Sequence, residues 1–197
     1  MDTGTTHVAE GEDLAVESDE DLARRAQAGE TAAFDDLVGR FAKPMLNFFI
    51  RGLGRFEQAE DLWQQTFLTA FERLKTFDAG RPWKPWLYGI AVNHLRNAWR
   101  AQATLPRHLP DDLAQRFAGN ARDPKDVAAD REAAQVIWEG VRLLSDEQRA
   151  VFVLRIYHGL SYNEIAEILD CPVGTAKSRM HFAAEAVRKG LRDRGIS

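Results

Sequence analysis

A set of polar, basic and aromatic side chains near the C-terminus lies on one side of a stretch with helical periodicity. Its members are Thr175, Lys177, Ser178, Arg179, His181 and Phe182. Hydroxyl, ammonium and guanidinium groups donate hydrogen bonds to phosphate oxygens and base edges, and an aromatic ring can contact a thymine methyl group. The chemistry that this set suits is therefore recognition of duplex nucleic acid rather than bond breaking.

The elements that position this set read as a helix-turn-helix. Ser161 is a good N-cap, and Glu164 three residues later completes a capping box for a short first helix. Pro172 suits the first turn of a second helix. The second helix has one apolar stripe, which we expect to face the core: Val173, Ala176, Met180, Ala183, Val187 and Leu191. The alternative is a helical hairpin that merely packs, with its charged groups in solvent.

A second stretch, residues 81–100, interleaves aromatic and basic residues. Aromatic rings stack on unpaired bases while cations hold the backbone, which is typical of single-strand binding. The candidate contacts are Trp83, Asn93, His94, Arg96, Asn97 and Arg100. The alternatives stay open here: some of the rings, Trp86 above all, can be core, and Asn93 can be an ordinary solvated side chain.

A third set lies on a predicted helix between these sites and the N-terminus. Asp61, Gln64 and Gln65 are three and four residues apart and so share one helical face, with Trp63 to one side. A polar face bordered by a large aromatic ring favours a protein interface. A plain solvated face is an equally good interpretation of the spacing.

Several classes of protein are disfavoured by composition. The five histidines are scattered and show no metal-ligand spacing, no glycine-rich phosphate loop appears, and we expect neither a cofactor nor catalytic residues. The single cysteine, Cys171, excludes an internal disulfide. Without a long apolar run or a secretory signal, we expect no membrane span and a cytoplasmic location.

The formal net charge of −4 hides an uneven distribution. Residues 1–30 carry nine acids against two arginines, a net charge of −7, so the rest of the chain is net positive at +3. No acid occurs between Asp78 and Asp111, and the last 27 residues are rich in Lys and Arg. Two basic regions and an acidic tail fit contact with nucleic acid better than the total charge suggests.

Helix-forming residues predominate, which predicts an all-α fold with two small helical domains joined by a flexible linker. The predicted helices span about 19–28, 31–53, 58–77, 83–101, 127–144 and 146–157, followed by the helix-turn-helix. The predicted organisation is a disordered acidic tail (1–17), a first domain (18–102), a linker (103–126) and a second domain (127–194).

Four motifs in this order resemble those of the extracytoplasmic-function (ECF) sigma factors, within the sigma-70 family. They are residues 59–67, 86–93, 159–166 and 171–175. The resemblance implies that Asp61, Gln64, Gln65 and Phe67 bind core RNA polymerase. It implies that the 81–100 set holds the unpaired −10 strand of promoter DNA, with Asn93 in a pocket for a flipped base. It also implies that the C-terminal set reads the −35 duplex, and that an anti-sigma factor is a probable partner.

One departure concerns the residues after Arg179, where relatives continue with several basic side chains and this chain has Met180 to Glu185. The main alternative function is a stand-alone helix-turn-helix repressor or activator, which needs no polymerase. A second alternative is an adaptor that binds polymerase or RNA without recognising promoters.

Overall fold

The structure is a computed structural model that describes residues 17–101 and 134–193. Most of the predicted acidic tail (1–17) and the whole predicted linker (103–126) lie outside the described residues. The same is true of the start of the helix predicted at residue 127. The boundaries of the two predicted domains remain predictions.

The first described range forms four α-helices. They are α1 (Asp19–Gln27), α2 (Thr31–Leu53), α3 (Phe56–Glu72) and α4 (Trp83–Ala101), with a 3-10 turn at Leu74–Thr76. Ser18 caps α1 as predicted, since its side chain accepts a hydrogen bond from the backbone N–H of Asp21 at 3.1 Å. Gly54 ends α2 with a φ of +67°, a left-handed conformation that glycine adopts without strain.

The apolar face of α2 is the centre of the first helical unit. Its fully buried side chains include Leu37, Met45, Phe48, Phe49 and Leu53. Helices α1, α3 and α4 all pack against α2. Helices α3 and α4 also pack against each other, so their outward faces are held at fixed positions relative to α2.

The second described range continues the helical fold. It contains a helix over 134–142 (α5), then α6 (Asp146–Phe152), a π-helical segment (Val153–Tyr157), α7 (Tyr162–Ile168) and α8 (Val173–Asp193). Full capping boxes begin α6 at Ser145 and α7 at Ser161. The box at Ser161 confirms the prediction made for the first helix of the helix-turn-helix.

The stripe predicted for α8 is partly confirmed. Ala176, Met180, Ala183 and Val187 are buried, whereas the two ends of the stripe, Val173 and Leu191, are half-buried. A buried arginine on α6, Arg149, adds to this core by donating to backbone carbonyl oxygens at the end of α5. The closest of these bonds runs to Leu144 O at 3.0 Å. Arg149 thereby satisfies carbonyl groups that the helix end leaves without a helical partner.

Two helix predictions were wrong in their details. Helix α3 ends at Glu72 rather than Phe77. Helical spacing predicts an apolar stripe of Leu62, Phe67, Ala70, Phe71 and Leu74 on this helix, but Phe71 is 50% exposed. The helix predicted over 146–157 changes to π geometry at Val153. Over so few residues an apolar pattern does not distinguish an α-helical turn from a π turn, which contains one extra residue.

The two sets of helices pack against each other. Helix α4 lies against α7, and α2 lies against the π-helical segment. Over the described ranges all regular elements are helical, so the all-α prediction is confirmed. No helix in these ranges has the length and apolar character needed to cross a bilayer.

Candidate nucleic-acid interface

Helix α8 presents the C-terminal set much as the sequence predicts. Lys177, Ser178, His181 and Phe182 are exposed, and Phe182 reaches 60% exposure. Thr175 is half-buried, and its carbonyl oxygen accepts a hydrogen bond from the Ser178 hydroxyl at 3.0 Å. An exposed ring beside a lysine on the second helix of a helix-turn-helix is suited to contact a duplex groove.

Arg179 lies apart from this exposed group. Its side chain is 27% exposed, and its Nη1 lies 3.1 Å from Oε2 of Glu147 on α6. The guanidinium is therefore already paired with a carboxylate in this arrangement.

On α4, three of the predicted strand-binding residues share one exposed face. Asn93, Asn97 and Arg100 are exposed and lie four and three residues apart. Asn93 also lines a cleft of about 510 Å³ together with Trp86, Arg73 and Arg81. A half-buried indole, an amide and two guanidinium groups around one cleft are the groups that stack on and hydrogen-bond an unpaired base.

Trp83 is a correction to the sequence analysis. Its side chain is 0% exposed and packs against Phe77 and Trp86, with ring centroids 5.1 and 4.9 Å away. Its backbone N–H donates to Oε1 of Glu20 at 2.9 Å, which fixes the start of α4 against α1. Trp83 supports the cleft from beneath and does not reach its surface.

His94 and Arg96 are both half-buried and already have partners. His94 Nε2 lies 3.2 Å from the Thr69 hydroxyl on α3, and burial, with Arg73 nearby, lowers the pKa of His94. Arg96 donates from Nη2 to Oε2 of Glu147 at 2.7 Å. The structure therefore separates these two side chains from the exposed face that holds Asn93.

On α3 the predicted polar face is present. Asp61, Gln64 and Gln65 are exposed, and none has a side-chain partner among the described residues. Leu68 continues this face at 60% exposure, a position that the sequence analysis missed although its spacing from Asp61 and Gln64 indicates it.

Phe67 is the second correction. It is 7% exposed and packs against Trp63, with ring centroids 5.4 Å apart. The Trp63 indole donates to the carbonyl oxygen of Ala42 at 3.0 Å, which joins α3 to α2. Phe67 thus holds the polar face of α3 in place from inside rather than forming part of it.

Two further residues were missed. Glu147 forms ion pairs with both Arg96 and Arg179, and His158 lies against Tyr88 on α4. No spacing in the sequence links these residues, because the contacts depend on how the two sets of helices pack.

A helix-turn-helix with an exposed reading helix, beside a helical unit that carries an aromatic and basic cleft, defines a DNA-binding transcription factor. Comparison with known families agrees. The family model for sigma-70 region 2 matches residues 36–104, and that for sigma-70 region 4 matches residues 134–187. The first match covers most of α2 and all of α3 and α4, and the second runs from α5 to Val187 in α8.

Similarity extends over most of the chain. The RNA polymerase sigma-H factor of Pseudomonas aeruginosa is 31% identical, over 90% of this chain and 96% of its own. The ECF RNA polymerase sigma factor SigW of Bacillus subtilis is 32% identical, over 86% of this chain and 95% of its own. The chain belongs to the ECF sigma factors of the sigma-70 family and is a transcription initiation factor.

The fold is shared with a solved sigma factor. The sigma factor RpoE, in a co-crystal structure with the anti-sigma factor NepR from Bartonella quintana, aligns with a TM-score of 0.60. The two chains are 23% identical, and the match covers 81% of this chain and 96% of the other.

Proposed function

We propose that this sigma factor divides its work among three surfaces. The α3 face binds core RNA polymerase, the α4 face and its cleft hold the unpaired −10 strand, and the exposed part of α8 reads the −35 duplex. The factor is not itself an enzyme, because the polymerase performs the chemistry, and it works in the cytoplasm where polymerase and promoters are found.

The −35 surface consists of Thr175, Lys177, Ser178, His181 and Phe182, which α8 presents together, and Arg179 joins it once released from Glu147. Lysine supplies a phosphate contact that is insensitive to sequence, whereas the hydroxyls and the ring contact base edges. Because no firmly basic residue occurs from Met180 to Glu185, directly after Arg179, we expect phosphate contacts to contribute less here than in relatives.

The −10 surface is built around the α4 cleft. Asn93 can hydrogen-bond the edge of a flipped base, and Trp86 offers a ring for stacking. Asn97 and Arg100 extend the same face toward the end of α4 and can follow the strand backbone. His94, buried against Thr69, supports α4 rather than contacting the strand.

The polymerase surface is the α3 face of Asp61, Gln64, Gln65 and Leu68. Three polar side chains without partners among the described residues lie on one face that continues to an exposed leucine, an arrangement that suits a helix-on-helix interface. An anti-sigma factor that covers these surfaces is the expected inhibitor. RpoE, a protein of the same fold, forms a complex with the anti-sigma factor NepR.

The single observation that carries this division is the placement of an unpartnered polar face on α3 apart from the reading helix α8. A regulator that binds DNA unaided has no use for such a face. To test the proposal, the purified protein is mixed with core polymerase and a library of promoter fragments, and the transcripts are sequenced.

Initiation from a defined set of fragments, each with common upstream and downstream elements, supports the proposal. Duplex binding without transcripts supports the stand-alone repressor or activator instead. Polymerase binding without any preference among promoters supports the adaptor.

A further inference from the structure

One carboxylate oxygen links residues from both sets of helices. Oε2 of Glu147, in the first turn of α6, lies 2.7 Å from Nη2 of Arg96 on α4 and 3.1 Å from Nη1 of Arg179 on α8. Each arginine was assigned to DNA from the sequence, one to the −10 strand and one to the −35 duplex. A single carboxylate therefore pairs with both guanidinium groups, as a phosphate oxygen of DNA would.

Three further side-chain contacts join the same two units around this bridge. The Tyr88 hydroxyl lies 3.1 Å from Nδ1 of His158, and Lys84 Nζ lies 3.7 Å from Oε1 of Glu164. The Arg149 guanidinium stacks over the Trp99 ring at 4.8 Å.

The backbones also fit closely. A Cβ atom added at Gly54 would meet the Trp138 ring at 2.4 Å, so the end of α2 accepts α5 only because that residue is glycine. Contacts at several positions therefore hold the two units together, and their packing does not depend on one ion pair.

This packing covers the cleft on α4. Glu167 and Ile168 of α7 form one wall of the cleft that holds Asn93 and Trp86. A Cβ atom at Gly89, on the same face of α4, would lie 4.0 Å from the Ile168 carbonyl oxygen. A DNA strand lying on the surface of α4 at Gly89 would meet α7, because a side-chain carbon placed there would already be within van der Waals distance of it.

We propose that this closed arrangement is an autoinhibited state of the free protein, held by Glu147, and that the two helical units must separate before either DNA surface works. The inference rests on the proposed function, because it concerns regulation of the same surfaces. In the closed state Arg96 and Arg179 neutralise a carboxylate of the protein itself, and α7 covers the strand-binding face of α4. Separation releases both arginines and uncovers the cleft at once.

The variant that tests the proposal is Glu147→Gln. Glutamine keeps the shape of glutamate but removes the charge that both arginines share. Glu147 takes no part in the capping box of α6, which is formed by Ser145 and Gln148, so the fold is retained. The matched control is Glu185→Gln, which removes the same charge from an ion pair with Arg188 at 2.9 Å that lies wholly within α8.

Two measurements on the full chain report the result. The first is resonance energy transfer between dyes at Gly39→Cys on α2 and Gly174→Cys on α8, in a Cys171→Ser background. A Cβ atom at either glycine meets nothing within 4 Å. The second is the affinity of the unlabelled protein, without polymerase, for a duplex fragment from which the wild type initiates in the presence of polymerase.

We expect Glu147→Gln to lower energy transfer and to bind the duplex about tenfold more tightly, because the apparent affinity rises with the open fraction. Glu185→Gln should leave energy transfer unchanged and alter affinity by much less. Unchanged energy transfer in Glu147→Gln, or an equal gain in affinity from Glu185→Gln, would overturn the proposal. If the wild type initiates with polymerase while Glu147→Gln resembles it throughout, only this inference fails. If the wild type never initiates, the proposed function fails.

Discussion

The Tyr88 hydroxyl on α4 lies 3.1 Å from Nδ1 of His158, which directly follows the π-helical segment. The contact connects the two helical units, and the His158 ring also packs edge-on against Phe48 at 5.4 Å. Burial, followed by the nearby cations Arg51 and Lys84, lowers the pKa of His158 to about 4. A neutral imidazole is therefore part of the closed arrangement.

This contact predicts that the closed arrangement weakens in acid. The ordinary pKa of 6.5 applies once the units separate, so the open state binds the extra proton first. The contribution of His158 to closure is full above pH 6.5 and is lost progressively as the pH falls toward 4. The positive groups that face it, Arg51 and Lys84, add repulsion once His158 is charged, and Tyr88 and Tyr157 stay neutral over this range.

Energy transfer between the two dyes, measured from pH 7.5 to pH 5, checks this prediction. It should decrease in the wild type and remain nearly constant in His158→Gln, whose side chain does not titrate. A decrease of equal size in both proteins would show that another group is responsible.

Replacing Trp83 separates a structural role from a binding role. Because Trp83 is fully buried, Trp83→Ala should lower the free energy of unfolding by about 3–5 kcal/mol. Trp86→Ala, at the half-buried cleft wall, should lose less stability and more affinity for a single strand with the −10 sequence. Urea unfolding measures the free energy of unfolding, and a binding titration measures the affinity for the strand. If the two variants lost equal stability, our correction for Trp83 would be wrong.

Lys177 is expected to make one phosphate contact. Lys177→Ala should weaken binding to all duplexes by a similar factor and reduce the slope of log affinity against log salt by about 1. Binding at several salt concentrations provides the slope. Lys43→Ala, an exposed lysine on α2, serves as the control and should leave the slope unchanged. If Lys177→Ala leaves the slope unchanged, Lys177 does not contact a phosphate and is not part of the −35 surface.

The capping box at the start of α7 should contribute measurably to stability. Ser161 Oγ accepts from the Glu164 N–H at 3.2 Å, and the Ser161 N–H donates to Glu164 Oε2 at 2.7 Å. Ser161→Ala should therefore cost about 1 kcal/mol of unfolding free energy, measured by urea denaturation. Asn163→Ala, at an exposed position of the same helix, should cost much less unfolding free energy. Equal losses in the two variants would show that the capping box does not contribute to stability.

Local signals made much of the fold predictable. Ser18 and Ser161 mark helix starts through hydrogen bonds within three residues, and the stripe on α8 needs only helical spacing. The exposed polar face of α3 was predictable for the same reason. These features depend on neighbours along the chain, which a sequence displays directly.

Features that depend on tertiary packing were not predictable in the same way. Trp83 looks like a surface aromatic within a basic stretch, yet it is fully buried against Phe77 and Trp86. Helical spacing already placed Phe67 in the apolar stripe of α3, and its burial conflicts only with the polymerase contact that the family resemblance implied. Glu147 has no local feature that indicates its two arginines, which lie on helices distant in sequence. Its position emerges only when α4, α6 and α8 are brought together.

The central claim, that separate surfaces grip polymerase and DNA, is tested most directly by gel filtration with core RNA polymerase followed by initiation assays. The wild type and Lys177→Ala should both co-elute with polymerase, and Lys177→Ala should initiate weakly from promoters that depend on the −35 element. The double variant Asp61→Ala with Gln65→Ala should fail to co-elute, although its isolated chain should bind duplex with the same affinity as the isolated wild type. Failure of the wild type to co-elute, or equal behaviour of the two variants, would contradict the account.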